Sequence, residues 1–289
     1  MTTTTWKVGD VTIRKLVELE APLPLGPGSM LPDAAPEAVA SILGVVPDFA
    51  TEDGHAYMSV HSFLIETPTR RVLVDTGVGN DKTRTNPLYN GLGTPFLAQL
   101  EDVPGWSREA VDAVLCTHLH VDHVGWNTVK IGESWTPTFP RATYCLGASE
   151  HAHWQDHPHG SDADLFGADS LRPVIVAGQL ELVGDGSDSL GAEFRLIETP
   201  GHTPGHVSVI VSSRDEQAVI TGDVFHHASQ VTHPEWRCTF DSSGEQAEET
   251  RRAFLARYAD SGLPILGTHF GGASVGTIVA TEDGYTFKA

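Results

Sequence analysis

Residues 116–126 read CTHLHVDHVGW and carry three histidines and one aspartate within six positions. In an extended segment alternate side chains point to the same side, so His118, His120 and Asp122 can converge, while His123 needs a local bend to join them. A mixed set of imidazole and carboxylate ligands suits Zn, Mn, Fe or Co rather than Ca or Mg. The spacing therefore predicts a transition-metal site, and a solvated polar loop is the weaker interpretation.

The cysteines indicate that this site is open and reactive rather than structural. Closed structural zinc sites usually recruit several cysteine thiolates. Cys116, Cys145 and Cys238 are widely spaced and include no C-x-x-C pair. We expect all three to be reduced and buried.

Three further polar residues each follow an apolar strand pattern and are candidate ligands. His202 lies in the Gly- and Pro-rich turn ETPGHTPGH, Asp223 in ITGDV and His269 in LGTHF. Side chains in such turns lie at the surface or in a site more often than in the core. For each residue taken alone, a structural role is supported as well as a metal-binding role.

Together the motifs THLHVDH, PGHTPGH, TGD and GTH, with VDTG upstream, resemble the metallo-β-lactamase superfamily from residue 58 to the end of the chain. This resemblance implies an α+β fold, a four-layer αβ/βα sandwich in which two mixed sheets pack face to face with helices outside. We expect residues 1–289 to form a single domain of this fold. Residues 21–57, rich in Pro, Gly and Ala, are expected to be an N-terminal extension or lid segment.

The resemblance also implies a centre of two divalent ions, with Zn expected and Mn, Fe or Co as alternatives. The implied ligands are His118, His120 and His202 for one ion, Asp122, His123 and His269 for the other, and Asp223 bridging both. Asp75, from the VDTG motif, is implied to support the site from behind as a hydrogen-bond partner of the ligand loop.

Such a centre would do hydrolytic chemistry without a serine or cysteine nucleophile. Two divalent cations that share a water lower its pKa toward ~7 and make hydroxide available at neutral pH. The expected catalytic residues are Asp122 and Asp223, which orient the nucleophile, and His226. The imidazole of His226 could donate a proton to the leaving group or bind a substrate oxygen, and a structural role is equally well supported.

Within the superfamily the sequence resembles the acyl-homoserine lactonases and the methyl parathion hydrolase-like organophosphate hydrolases. The lactonases carry a tyrosine three residues after the bridging aspartate, whereas this chain has His226 there, which weakens an assignment to quorum lactones. We expect a neutral ester-type substrate, that is a lactone, an aryl ester or a phosphotriester. The alternatives are a glyoxalase II-like thioesterase and a non-catalytic member of the fold that binds a small molecule, although all seven ligands are present.

For several other side chains the sequence gives weaker support for a role in the site. Trp126, Phe225 and Phe270 lie within a few residues of a ligand and could line an apolar substrate pocket, but core packing explains them equally well. Seven other histidines are interpreted as a packed residue (His206), as surface or loop residues (His227 and His233), and as a solvated surface group (His151, His153, His157 and His159).

The elements that must position these residues can be predicted from periodicity. Apolar and polar residues alternate over 11–20 as in a half-buried strand, and RRVLVDTG is a strand that ends at Asp75. AVLCTH is a short buried strand before the ligand loop. Helices are predicted for PFLAQLEDV, for SREAVDAV after a Ser107 cap, and for the amphipathic SGEQAEETRRAFLARYAD.

The composition limits the partners. The 38 acidic and 18 basic residues give a formal net charge of -20, which repels nucleic acid and anionic membranes. The sequence shows no signal-peptide pattern and no apolar run of the ~18 residues that a spanning helix needs. We therefore expect a cytoplasmic protein that acts on a small-molecule substrate and binds neither nucleic acid nor membrane, with homodimer formation left open.

Overall fold

The computed structural model describes residues 4–35, 38–39, 49–156, 167–184 and 190–289. The chain divides into two compact units, which comprise Met1–Leu19 with Val60–Arg195 and Glu20–Ser59 with Leu196–Ala289. Segment 21–57 was expected to be an extension or lid. Its described residues belong to the second unit, and its residues 36–37 and 40–48 lie outside the described part of the chain. The lid role stays a prediction.

The first unit is built on a mixed sheet. Its strands are β1 (Thr5–Val8), β2 (Val11–Leu23), β3 (Ala56–Glu66), β4 (Arg71–Val74), β5 (Ala113–Cys116), β6 (Thr128–Ile131), β7 (Ser134–Pro137), β8 (Thr143–Gly147) and β9 (Leu180–Val183). Seven of them form one sheet in the order β1-β2-β3-β4-β5-β8-β9, and β6 pairs with β7. The helices are α1 (Phe96–Glu101), α2 (Ala148–Asp156) and α3 (Arg172–Val176), with short helical turns at Gly125–Asn127 and Gly167–Leu171.

The parallel centre of this sheet explains where the ligand loop begins. β5 runs parallel to β4 on one side and to β8 on the other, and all four of its residues are buried, as expected for a strand covered on both faces. The carboxyl ends of β4 and β5 therefore lie at the same edge of the sheet. Asp75 follows β4 and His118 follows β5, so the parallel pairing brings these two side chains to one edge.

The predicted helix after Ser107 is wrong. Residues 108–110 form a turn, and β5 begins at Ala113. Arg71 donates its backbone N–H to the side chain of Asp112 (2.8 Å), and Ala113 pairs with Val72. The sheet pairing therefore overrides the local helix propensity of this segment.

The second unit has a six-stranded mixed sheet. Its strands are β10 (Phe194–Glu198), β11 (Val207–Ser213), β12 (Glu216–Ile220), β13 (Ile265–Leu266), β14 (Val275–Thr281) and β15 (Gly284–Lys288), in that order across the sheet. The helices are α4 (Ser229–Thr232) and α5 (Gly244–Tyr258), with a helical turn at Gly222–Val224. β12 and β13 are parallel, so Asp223 and His269, which follow them, also share one sheet edge.

Helix α5 matches the amphipathic helix predicted from the sequence. Its N-cap is Ser243, whose hydroxyl accepts a hydrogen bond from Gln246 N (3.3 Å), and its buried face includes Phe254, Leu255 and Tyr258. Mixed sheets with few helices agree with the predicted α+β class. Among the described residues, no helix combines the length and the apolar character needed to cross a membrane.

Candidate metal centre

The four candidate ligands of the loop after β5 converge as their spacing predicts. His118 Nε2 lies 3.1 Å from His120 Nδ1, and the rings of His118 and His123 are 4.0 Å apart. His123 Nε2 lies 3.8 Å from Asp122 Oδ1. The backbone N–H of His123 donates to His120 O (3.0 Å), and this turn is the local bend that the sequence required.

Asp75 fixes the orientation of the loop from behind. Its carboxylate accepts hydrogen bonds from His123 Nδ1 (2.9 Å) and from Thr117 N (2.8 Å). The Thr117 hydroxyl contacts the same carboxylate (2.9 Å) and lies 3.1 Å from His118 Nδ1. A histidine that gives its Nδ1 proton to such a partner keeps the Nε2 lone pair for a metal.

The local backbone is shaped to allow these contacts. Asp75 has φ 57°, a left-handed conformation that costs a non-glycine residue on the order of 1–3 kcal/mol and persists where surrounding bonds enforce it. After the loop, Gly125 donates its N–H to Gly77 O (2.7 Å). A Cβ at Gly125 would lie 1.8 Å from Val78 O, so only glycine fits this close approach.

In the second unit three imidazoles surround one carboxylate oxygen. Asp223 Oδ2 lies 3.1 Å from His269 Nε2, 3.3 Å from His202 Nε2 and 3.5 Å from His226 Nε2. All four side chains are buried. Nitrogen and carboxylate oxygen donors packed this closely away from water are of the kind that can hold a divalent transition-metal ion.

Two of these histidines also have a partner behind them. His202 Nδ1 donates to Asp241 Oδ1 (3.0 Å), and His269 Nδ1 donates to the carbonyl of Ser59 (2.9 Å). Asp241 is held in turn by Cys238 N (3.1 Å) and by the buried guanidinium of Arg251 (3.5 Å). Burial opposes ionisation of Asp241, but the hydrogen bond from His202 and the nearby imidazoles outweigh it and lower its pKa.

Sequence reasoning missed Asp241. It lies 39 residues from His202, in a loop with no periodic pattern, and no local motif marks it as the partner of a ligand. The Ser59 carbonyl was missed for the same reason. Thr117 is adjacent to His118, but its residue type gives no sign that its hydroxyl contacts the imidazole.

His206 is a packed histidine, as its sequence context suggested. Its Nε2 accepts the backbone N–H of Asp223 (2.8 Å), and its Nδ1 lies 2.8 Å from the hydroxyl of Thr199. Gly222 has φ 55°, and a Cβ there would lie 2.5 Å from His206 Nε2. His206 therefore shapes the turn that presents Asp223.

His226 is buried, at 2% exposure, and neither of its ring nitrogens makes a hydrogen bond to any described residue. Its ring packs edge-on against His202 (4.7 Å) and parallel to His269 (5.9 Å). Burial, together with His202 and His269, lowers its pKa to about 3, so the imidazole is neutral near pH 7. A neutral ring still offers one N–H and one lone pair.

The three aromatic residues expected beside the pocket are buried in the packing of their own units. Trp126 donates its indole N–H to Glu18 (2.7 Å). Phe225 packs edge-on against Phe254 (5.5 Å), and Phe270 belongs to the same buried cluster. These are the contacts of the core-packing interpretation, and the pocket-lining role stays a prediction.

His227 lies in a loop, one of the two alternatives expected for it, but it is not at the surface. It is buried, with Nε2 at 2.7 Å from Phe49 O and Nδ1 at 2.8 Å from the hydroxyl of Ser229. Burial lowers its pKa to about 4. His233, by contrast, is partly exposed and stacks on Trp236 (4.1 Å).

The histidines after β8 form no compact group in the described residues. His151 and His153 are partly buried on α2, whereas His157 and His159 lie outside the described residues. The solvated surface expected there is therefore described only in part.

The donors in each unit fit divalent transition ions. They are imidazole nitrogens and carboxylate oxygens, and most of the imidazoles have a hydrogen-bond partner on their far nitrogen. The described cysteines are buried and unbridged, and burial raises the pKa of each thiol, so thiolate ligation is disfavoured.

Comparison with known proteins agrees with this chemistry. Residues 57–269 match the family model of the metallo-beta-lactamase superfamily. An N-acyl homoserine lactonase from Bacillus sp is 25% identical over 175 residues, which cover 56% of this chain and 62% of that protein. A protein from Mycobacterium bovis described as a probable metallo-hydrolase is 28% identical over 199 residues, covering 58% and 57%. The chain thus spans less than two thirds of the length of these curated relatives.

Two solved structures resemble the whole chain. The hydrolase AbOPH of the beta lactamase superfamily superposes with a TM-score of 0.79 at 26% identity, covering 99% of this chain and 96% of that one. AidC, a dizinc quorum-quenching lactonase, superposes with a TM-score of 0.80 at 21% identity, with the same coverage. At that identity the likeness to AidC shows the fold alone.

Proposed function

The chain belongs to the metallo-β-lactamase superfamily, and we propose that it is a binuclear metal-dependent hydrolase of neutral ester-type substrates. The fold class expected from the motifs is confirmed by the family match and by the likeness to AbOPH. The proposal goes further than the family, because it assigns two ions, their ligands and a substrate class.

One observation carries the proposal. Four candidate histidine ligands each have a hydrogen-bond partner behind the ring, and these pairs are His118 with Thr117, His123 with Asp75, His202 with Asp241 and His269 with the Ser59 carbonyl. Partners of this kind fix the tautomer and direct the opposite nitrogen forward. Such repeated orientation is typical of metal ligands, whereas histidines that only fill a core do not need it.

We assign the ligands by the superfamily pattern. His118, His120 and His202 would hold one ion, Asp122, His123 and His269 the other, and Asp223 both. Bound there, two divalent ions would lower the pKa of a shared water toward ~7 and polarise the scissile bond.

The residues of the chain then have separate tasks. The carboxylates of Asp122 and Asp223 orient the water, while the partners behind the ligands keep the donor atoms in place. His226 is neutral and buried, so its ring N–H can hydrogen-bond a substrate oxygen as charge develops there.

A neutral substrate fits the charge of the protein better than a polyanion. The formal net charge of -20 disfavours a highly charged phosphate or nucleic acid. The lactonase and hydrolase relatives support a lactone, an aryl ester or a phosphotriester. A glyoxalase II-like thioesterase and a non-catalytic binding protein are the two alternatives.

A substrate panel on one preparation tests the proposal. Lactones, aryl esters, phosphotriesters, S-acyl glutathiones and β-lactams are assayed with wild type, with Asp223→Ala and with the exposed-site control Asp283→Ala. We expect turnover of a neutral ester-type compound by wild type and Asp283→Ala, and none by Asp223→Ala. Preference for the glutathione thioester would support the thioesterase alternative, and the absence of any turnover would support the binding protein.

Three further assignments belong to the same proposal. We propose Zn as the native metal, which elemental analysis of protein purified without added metal can test. We propose a cytoplasmic location and a small-molecule substrate as the only obligatory partner. A homodimer remains an option that the molar mass in solution decides.

A further inference from the structure

Tyr89 approaches one of the proposed metal ligands from a loop that the sequence motifs did not mark. Its hydroxyl lies 3.2 Å from Asp122 Oδ2 and donates to it, while Asp122 Oδ1 faces His123 Nε2 at 3.8 Å. We propose that Tyr89 is a positioning residue that fixes the Asp122 carboxylate for metal binding through Oδ1. This inference rests on the proposed binuclear centre and adds a residue to it.

The loop that carries Tyr89 is closed at its base. Asn80 donates its amide to Thr94 O (2.9 Å), and Thr94 N donates back to Asn80 Oδ1 (2.7 Å). Gly91 N donates to Lys82 O (2.8 Å), and Arg84 N donates to Asn90 Oδ1 (2.9 Å). These bonds make residues 80–94 a defined hairpin-like loop rather than a loose connection.

Two buried cations anchor the loop to the body of the unit. The side chains of Lys82 and Arg84 are fully buried. Arg84 forms a two-pronged pair with Asp169 (2.7 and 3.0 Å), and Lys82 donates to the hydroxyl of Thr128 (2.8 Å). Burying cations is costly unless they are paired, and here both contact Asp169, so breaking either pair would leave a buried charge uncompensated.

The tip of the loop presents the phenol toward the ligand. Tyr89 N donates to Asn86 O (3.0 Å), which forms the turn at the tip. The neighbouring Leu88 side chain is 57% exposed, whereas the Tyr89 ring is partly buried with its hydroxyl at Asp122. The two adjacent residues thus have opposite environments, and the Tyr89 hydroxyl hydrogen-bonds to the ligand loop.

The chemical effect follows from the two oxygens of a carboxylate. A hydrogen bond to Oδ2 restrains rotation of the group and leaves Oδ1 as the metal donor. Asp122 would then have a hydrogen-bond partner of its own, as the four histidine ligands described above do.

The test compares Tyr89→Phe, which removes only the hydroxyl, with Leu88→Ala at the same loop tip. Apo proteins are titrated with Zn²⁺ in competition with a chelator, and the absorption spectrum of the Co²⁺-substituted proteins is recorded. We expect Tyr89→Phe to bind one of the two ions at least about 10-fold more weakly than wild type does. We also expect its Co²⁺ absorption spectrum to differ from that of wild type. Leu88→Ala should match wild type, and the Tm of apo Tyr89→Phe should be unchanged.

The possible failures are distinguishable. Wild-type protein that binds two ions, with Tyr89→Phe equal to it in affinity and spectrum, would overturn the role of Tyr89 and leave the proposed function standing. A lowered Tm of the apo variant with an unchanged spectrum would assign Tyr89 to loop stability and overturn the inference as well. Wild-type protein that binds no metal would overturn the proposed function itself.

Discussion

Asp241 Oδ1 lies 3.0 Å from His202 Nδ1, and the second oxygen of Asp241 is held by Cys238 N and Arg251. His202 therefore has a fixed ring orientation although its own loop, PGHTPGH, belongs to no regular element. The sequence motif supplies the ligand, and a residue far along the chain supplies its orientation. This relationship makes the first prediction.

Replacing Asp241 with asparagine keeps the side-chain volume but removes the charge that favours the His202 Nδ1–H tautomer. We expect metal affinity to fall about 10-fold, in the range typical for partners of histidine ligands. Chelator competition measures the loss, and Asp283→Asn, at an exposed position of the same unit, is the control. Equal affinities for the two variants would contradict the role given to Asp241.

His226 provides the second prediction. If its neutral ring binds substrate rather than metal, His226→Ala should keep the wild-type metal stoichiometry while kcat falls about 100-fold, as for loss of one positioned hydrogen-bond donor. Metal content and turnover are measured on the same sample. A variant that loses an ion would show instead that His226 is a ligand.

Substitution of Gly125 tests how tightly the backbone behind the ligand loop is packed. A Cβ at this position would lie 1.8 Å from Val78 O and 1.9 Å from Val78 C, so Gly125→Ala must displace backbone. We expect a loss of about 1–3 kcal/mol in the free energy of unfolding, the usual cost of overpacking. Gly93→Ala is the matched control, because a Cβ at Gly93 meets nothing within 4 Å. Similar denaturation midpoints for both variants would refute the close approach.

Lys82 gives a pH-dependent prediction. Burial, against the attraction of Asp169, lowers its pKa from 10.5 to about 8. Between pH 8 and 10.5 the unfolded chain therefore binds more protons at Lys82 than the folded protein does. The free energy of unfolding rises with pH across this window because of Lys82, and this gain is lost as the pH falls back to 8.

The slope that Lys82 contributes is at most about 1.4 kcal/mol per pH unit. Chemical denaturation of wild type and Lys82→Met at pH 8, 9 and 10 isolates it, because the other groups titrate in both proteins. We expect the difference in unfolding free energy to shift in favour of wild type as pH rises. A difference that is constant with pH would contradict the depressed pKa.

The sequence predicted most of the elements and the candidate ligands that follow their strands, for physical reasons that are local. The buried run AVLC and the alternation before Asp75 follow from strand periodicity, and a loop dense in imidazoles has few uses other than metal binding. The helix predicted after Ser107 was wrong because pairing of Ala113 with Val72 decided that segment.

Apart from Asp75, which the VDTG motif marked, the partners behind the candidate ligands could not be predicted. Asp241 and Tyr89 lie far along the chain from the residues that they contact, and no spacing rule connects them. Thr117 is adjacent to His118, but threonine is common in ordinary loops. His227 was expected in a loop or at the surface, and nothing in the sequence indicates the Phe49 carbonyl that it contacts inside the protein. Such contacts depend on the tertiary structure and leave no local pattern in the sequence.

Titration of the apo protein with Zn²⁺ tests the central claim most directly. Isothermal calorimetry on wild type and on Asp223→Ala, with Asp283→Ala as the control, counts the ions that each chain binds. The account predicts two Zn²⁺ per chain for wild type and the control, and fewer than two for Asp223→Ala. A wild-type chain that saturates without binding two ions, or an Asp223→Ala variant that binds both as tightly as wild type, would contradict it.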